Sequence, residues 1–149
     1  MAVSAFTIDA PAVDPYAALY SLADELVGAC AELVRAWAIP ADWIAAVPSR
    51  RGGDLVSDFA RRLAAELGRP FEALLERAED RPPQREMANS AQQVANVRGA
   101  FRVIADPPPG ACLLVDDVRF SGWTLAMVGG QLRGRGVAAV YPLALATAF

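Results

Sequence analysis

At 149 residues the chain has room for one domain around a single buried core, not for two of ordinary size, and its 54% hydrophobic content supports a packed globule. A net charge of -3 argues against a dedicated nucleic-acid surface. There is no His, and all 14 basic residues are Arg, which excludes the usual neutral-pH base, the usual metal ligand, Ser-His or Cys-His nucleophile pairs and Schiff-base lysines.

Residues 1–13 read as a flexible leader with no basic segment followed by an apolar block, and residues 14–149 as one domain. No apolar run reaches the roughly 18 residues of a membrane helix, so a cytoplasmic protein is expected. Asp14-Pro15 makes an N-cap and first-turn pair, and Tyr16, Leu19, Leu22, Leu26, Cys30, Leu33 and Trp37 keep helical spacing as far as Pro40. This amphipathic helix, 15–37, is expected to cover a sheet or a second copy of the chain. Trp37 and Trp43 are assigned to the core, and Cys30 and Cys112, in apolar surroundings, to buried thiols rather than a disulfide or metal pair.

Trp43 to Val47 has the length of a buried strand. It is followed by Pro48-Ser49-Arg50-Arg51-Gly52-Gly53, an ordinary strand-to-helix loop or an anion-binding one, and then by Asp54, which can cap a helix running to Leu67 with Gly68 as its stop. Arg61 and Arg62, like Arg133 and Arg135 further on, read as solvated helix faces, with nucleic acid as the alternative use. Phe71 to Leu75 fits either strand or helix. Glu76 to Arg85 reads as an exposed loop and Met87 to Val94 as a short helix, a polar segment that can serve as a lid.

Phe101 to Ile104 is the next strand candidate. After Pro107-Pro108-Pro109-Gly110 comes the most informative stretch, Leu113 to Thr124: an apolar strand, Cys112 to Val115, then Asp116-Asp117 at its C-terminal edge, then Ser121-Gly122-Trp123-Thr124 opening a helix with Leu125, Met127, Val128 and Leu132 as its apolar positions. Two acids accept hydrogen bonds from vicinal hydroxyls, and helix-start amides with Ser and Thr hydroxyls donate to a phosphate, so the pattern suits a sugar phosphate. A helix-start acid pair in a solvated turn is the plainer alternative. Trp123 is either core or a stacking platform. Gly134 and Gly136 mark the helix end, and Val137 to Leu145 is a last strand. Helices alternating with short apolar strands predict an α/β domain, a Rossmann-like, mainly parallel sheet flanked by helices, with ligands outside the strand C-termini.

Asp116 to Thr124, DDVRFSGWT, resembles the phosphoribosyl pyrophosphate binding motif of type I phosphoribosyltransferases, and Val47 to Gly53 looks like that family's pyrophosphate loop. Gln84 to Phe101, with Asn96-Val97-Arg98-Gly99-Ala100-Phe101, is similar to the region after the flexible hood loop in ComF-type competence proteins. In combination, VPSRRG, MANSAQQVANVRGAF and LLVDDV with SGWT resemble the phosphoribosyltransferase-like C-terminal domain of some actinobacterial RecQ-type DNA helicases, over about residues 18–145. None of the helicase nucleotide-binding motifs is present.

The resemblance implies the type I fold with a small hood and a ligand that is phosphoribosyl pyrophosphate or a nucleoside monophosphate. It implies that Asp116 and Asp117 hold the ribose hydroxyls and that Phe120, Ser121, Gly122, Trp123 and Thr124 cradle the 5-phosphate, with Val118 and Arg119 beside them in the substrate-binding set. Arg50, Arg51 and the amides of Gly52 and Gly53 would meet pyrophosphate, with Ser49 beside them as a substrate-binding residue, and Mg2+ would ride on the substrate's own oxygens. Two functions follow from it: phosphoribosyl transfer to a nitrogen acceptor, or a non-catalytic ribose-phosphate or nucleic-acid-end module with a DNA or helicase partner. Arg119 and Phe120 depart from the family pattern. At the Phe120 position, members acting on 6-oxopurines carry an Asp that serves as base, and Phe cannot accept that proton.

Overall fold

The computed structural model describes residues 23–49, 54–78 and 99–148. The expected leader, residues 15–22 of the N-terminal helix, the loop residues 50–53 and the short helix at Met87 to Val94 lie outside the described residues.

Helix α1, Ala23–Ala36, has Asp24 and Glu25 in its first turn and Arg35 in its last, charges that complement the helix dipole. Its stripe of Leu26, Val27, Cys30, Ala31 and Val34 is buried. The helix stops before Pro40: Ala38 N–H bonds to the Arg35 carbonyl and Ile39 N–H to that of Val34, with Ala38 in the left-handed region at φ 49. The chain leaves the helical path at Ala38, just after Trp37, whose N–H still bonds the Leu33 carbonyl; Trp37 is 43% exposed and not the core residue expected.

Strand β1, Trp43–Ala46, is buried at every position, as a parallel strand covered on both faces must be. Helix α2, Leu55–Leu67, packs Val56, Phe59, Ala60, Leu63 and Ala64 inward and ends at Gly68, whose φ of 63 lets its N–H reach the Ala64 and Ala65 carbonyls. Asp54 precedes the helix but makes no side-chain cap. Arg35 joins the two helices by donating to the Glu66 carbonyl at 2.6 Å.

The ambiguous 71–75 segment is extended. Phe71 bridges to Ile44, with Glu72 N–H on the Ile44 carbonyl at 2.8 Å. Beyond it, strand β2, Leu75–Arg77, pairs antiparallel with β3, Phe101–Val103, so the expected exposed loop begins as sheet. Strand β4, Ala111–Arg119, lies at the centre of a three-stranded parallel sheet of order β1-β4-β5, where β5 is Ala139–Thr147 and helix α3, Trp123–Gly134, makes the crossover.

Alternation along the strands divides the core into two faces. Ile44, Ala46, Leu113, Val115, Leu143 and Leu145 pack against α1 and α2. Trp43, Ala45, Cys112, Leu114 and Ala144 face α3 and the β2–β3 pair through Leu125, Val128, Phe101 and Val103. Leu113 and Leu114 are fully buried, each worth about 2 kcal/mol of apolar transfer. Cys30 and Cys112 are free and buried, as read from the sequence. Arg133 and Arg135 hold local structure: Arg133 donates to the Val137 carbonyl at 2.7 Å and to that of Ala138, and Arg135 faces Asp106 at 3.9 Å.

Candidate functional site

Strand β4 is longer than its apolar run suggests. Asp116, Val118 and Arg119 still register with Ala144, Ala146 and Thr147 of β5, so the two acids stand inside the strand rather than after it. On the other side β1 has already ended, its last registered pair being Ala46 with Val115. Among the described residues the loop after β1 follows on there, with Val47 N–H bonded to the Val115 carbonyl at 2.8 Å.

Two backbone donors of β4 are taken up by the acids themselves. Asp117 N–H donates to Asp116 Oδ1 at 2.9 Å, and Val118 N–H to Asp117 Oδ1 at 2.6 Å. Each carboxylate thus satisfies a buried backbone group and is oriented by it. Ser49 Oγ donates to Asp117 Oδ2 at 2.7 Å, joining the loop after β1 to the centre of β4.

Asp116 and Asp117 are each only 7% exposed. Burial, and after it the adjacent Asp117 charge, pushes the Asp116 carboxyl up from 3.8 to about 7, against the pull of the Asp117 N–H and of the Arg77 guanidinium. Asp116 is therefore able to hold or release a proton near neutrality.

Arg77 was not singled out by sequence. It extends from β2, stacks over the Phe101 ring at 4.9 Å, and donates to the Pro48 carbonyl at 3.3 Å. Its register partner is Phe101 itself, a relation that only the strand pairing discloses.

Past the acids, Val118 is buried, while Arg119, Phe120 and Ser121 are exposed, Phe120 by 67%. Gly122 adopts φ 79 immediately before α3, and its carbonyl accepts the Ala126 N–H at 3.1 Å. A side chain there would meet Arg119, whose Nε lies 3.2 Å from the Cβ position, so Arg119 folds back over the turn and brings a guanidinium to the loop. Ser121 Oγ lies 3.5 Å from Trp123 N, Thr124 is half-buried, and Trp123 is exposed rather than core. The structure thus gathers Ser49, Asp116, Asp117 and Val118 beside the turn that carries Arg119 to Thr124. Arg50, Arg51, Gly52 and Gly53 lie outside the described residues.

Among the described residues there is no group of three or more acidic or thiol side chains able to hold a metal. Two neighbouring carboxylates fit an ion such as Mg2+ that takes most of its oxygens from a bound ligand and from water. A separate concavity of about 290 Å3 lies on the α2 side of β1, lined by Ala46, Asp54, Ser57, Arg61, Phe71 and Leu75 among others. Arg61 stacks on Phe71 at 5.0 Å and Arg62 pairs with Asp24 and Asp58. Both arginines thus have partners within the fold. No described helix is long and apolar enough to cross a membrane.

No protein-family model matches the sequence, and no curated protein matches it. Solved structures do match. An adenine phosphoribosyltransferase superposes with a TM-score of 0.61 at 20% identity, covering 86% of this chain and 71% of that one. Glutamine phosphoribosylpyrophosphate amidotransferase from B. subtilis, complexed with ADP and GMP, gives a TM-score of 0.58 at 22% identity, over 83% of this chain. The adenine phosphoribosyltransferase of Leishmania tarentolae gives 0.55 at 18% identity, over 85% of this chain. The chain spans about a quarter, 26%, of the amidotransferase. Three parallel strands in the order β1-β4-β5, helices on both faces and a small antiparallel β2–β3 pair give this chain the type I phosphoribosyltransferase fold.

Proposed function

We propose that this domain binds phosphoribosyl pyrophosphate, or a related ribose 5-phosphate ligand such as a nucleoside monophosphate, and transfers the phosphoribosyl group to a nitrogen acceptor. The observation that carries the reading is the buried Asp116–Asp117 pair, set at the end of the central parallel strand and followed directly by a glycine turn into α3.

In this reading the two carboxylates accept the ribose 2- and 3-hydroxyls. Their orientation is set before the ligand arrives, by Ser49 and by their own backbone, so little rotamer freedom is lost on binding. The turn at residues 120–124 offers main-chain N–H groups, the Ser121 and Thr124 hydroxyls and the positive end of α3 to the 5-phosphate. Arg119, folded over Gly122, adds charge there. Arg50 and Arg51, with the amides of Gly52 and Gly53, are assigned to the pyrophosphate, where they stabilise charge as the glycosidic bond breaks. When bound, Mg2+ would neutralise ligand oxygens, with Asp116 and Asp117 as its protein-side neighbours.

A second reading is binding without turnover, as in a module that serves a RecQ-type helicase or a nucleic-acid end. Phe120 favours it, because the exposed position next to the turn bears a ring that can neither take nor give a proton. The two readings separate on release of pyrophosphate from phosphoribosyl pyrophosphate, Mg2+ and a panel of nitrogen bases. Base-dependent release supports transfer; saturable binding with no release supports the module. Absence of binding to phosphoribosyl pyrophosphate, pyrophosphate and nucleoside monophosphates in a thermal-shift series would sink both.

A further inference from the structure

We infer that Arg77 is a positioning residue for the acid pair, tying the antiparallel β2–β3 sheet to the loop after β1 and, through that loop, to Asp117. The inference concerns a residue outside the sugar and phosphate contacts proposed above, and only its ligand-binding arm rests on that proposal.

Four links make the tie. Phe101 is fixed in the core, 5% exposed, with its carbonyl accepting Gln131 Nε2 of α3 at 3.3 Å. Arg77 stacks on that ring at 4.9 Å, which limits where the guanidinium can lie. From there Nη1 reaches the Pro48 carbonyl at 3.3 Å, 29 residues away along the chain. The next residue, Ser49, donates to Asp117 Oδ2 at 2.7 Å, and the Asp117 N–H in turn donates to Asp116 Oδ1 at 2.9 Å. A planar guanidinium can stack by its face and donate by its edge at once; a lysine ammonium cannot do both from one position.

The test compares the wild-type chain with Arg77→Gln, Arg77→Lys and Phe101→Leu, the last of which keeps the guanidinium and removes the ring beneath it. Without ligand, the Ser49 and Asp117 amide shifts report the tie, and all three variants should move both. With phosphoribosyl pyrophosphate as probe, affinity should fall about tenfold in Arg77→Gln and Arg77→Lys, since the lysine restores charge but not the stacked bond to Pro48. Ser49 and Asp117 amide shifts unmoved in Arg77→Gln would overturn the inference, whatever the ligand does. A wild-type chain that fails to bind the probe would overturn the proposed function instead, and the amide shifts would then decide the role of Arg77 alone.

Discussion

Ser49 Oγ and Asp117 Oδ2 meet at 2.7 Å across 68 positions of sequence, and this hydrogen bond closes the gap left where β1 stops and β4 continues. It is the contact by which a loop read as pyrophosphate-binding touches an acid read as ribose-binding. Ser49→Ala should leave the fold intact and weaken binding of phosphoribosyl pyrophosphate by roughly three- to tenfold, the worth of one charge-assisted hydrogen bond in a partly wet site. Calorimetry on both proteins measures it; equal affinities would show that Asp117 needs no help from the loop.

Removing both charges is the stronger test of the site. Asp116→Asn with Asp117→Asn keeps the shape and the backbone acceptors, so circular dichroism should match the wild type. Each lost charge-assisted bond is worth about 1.5–3 kcal/mol, so affinity for the sugar phosphate should drop by at least roughly 100-fold. An affinity within a few-fold of wild type would remove the acids from the ligand site.

Asp116 also makes stability depend on pH. In the unfolded chain its carboxyl titrates near 3.8, and in the folded protein at about 7. Between these values the folded state retains a proton that the unfolded state has lost, so stability falls as pH rises through the window and levels off above it. At about 1.4 kcal/mol per unit, the contribution approaches roughly 4 kcal/mol. Asp116→Asn has no such proton. Urea midpoints at pH 4 and pH 8 should therefore show the variant gaining on the wild type as pH rises, and a pH-independent difference would count against a raised carboxyl.

Both thiols should be inert in the native protein. Burial pushes Cys30 up to about 11 and Cys112 to about 12, so almost no thiolate exists at pH 8. A thiol reagent should label the two residues together, at the rate of global unfolding. Fast labelling of Cys30 alone would show α1 opening by itself.

At the opposite end of the sheet, Gly110 adopts φ 98 and lies against Asp42, whose Oδ2 accepts the Ala111 N–H at 2.8 Å and starts β4. A Cβ on Gly110 would fall 2.8 Å from Asp42 Cγ, closer than real contacts allow. Gly110→Ala should cost about 1–3 kcal/mol from backbone strain and loss of that start. In an Asp42→Ala background the second cost should be smaller, and chemical denaturation of the four proteins would show the coupling.

Much of the frame was legible in the residues. Trp43 to Val47 and Cys112 to Val115 announced buried strands because four or five apolar residues stand between Pro- or Gly-containing turns, and Gly68 announced a helix end that its positive φ bears out. The acid pair followed by Ser-Gly-x-Thr was visible for the same local reasons. Tertiary facts were not visible. Trp37 continues the helical spacing, yet the chain turns beneath it; β4 continues through two carboxylates because β5 still pairs with it there. Glu76 and Arg77 look like the start of a polar loop, and they become sheet only through pairing with Phe101 and Arg102. Arg77 enters the site through that pairing, which no local pattern encodes.

Val118 packs on the same face as Leu113 and Val115, so the strict two-residue alternation of β4 is interrupted at the two acids between them. Asp117 acts on Asp116 both by charge and by hydrogen bond. What Ser49 does to Asp117 is therefore passed to Asp116 as well, and the two carboxylates answer as one unit to any change in the loop after β1.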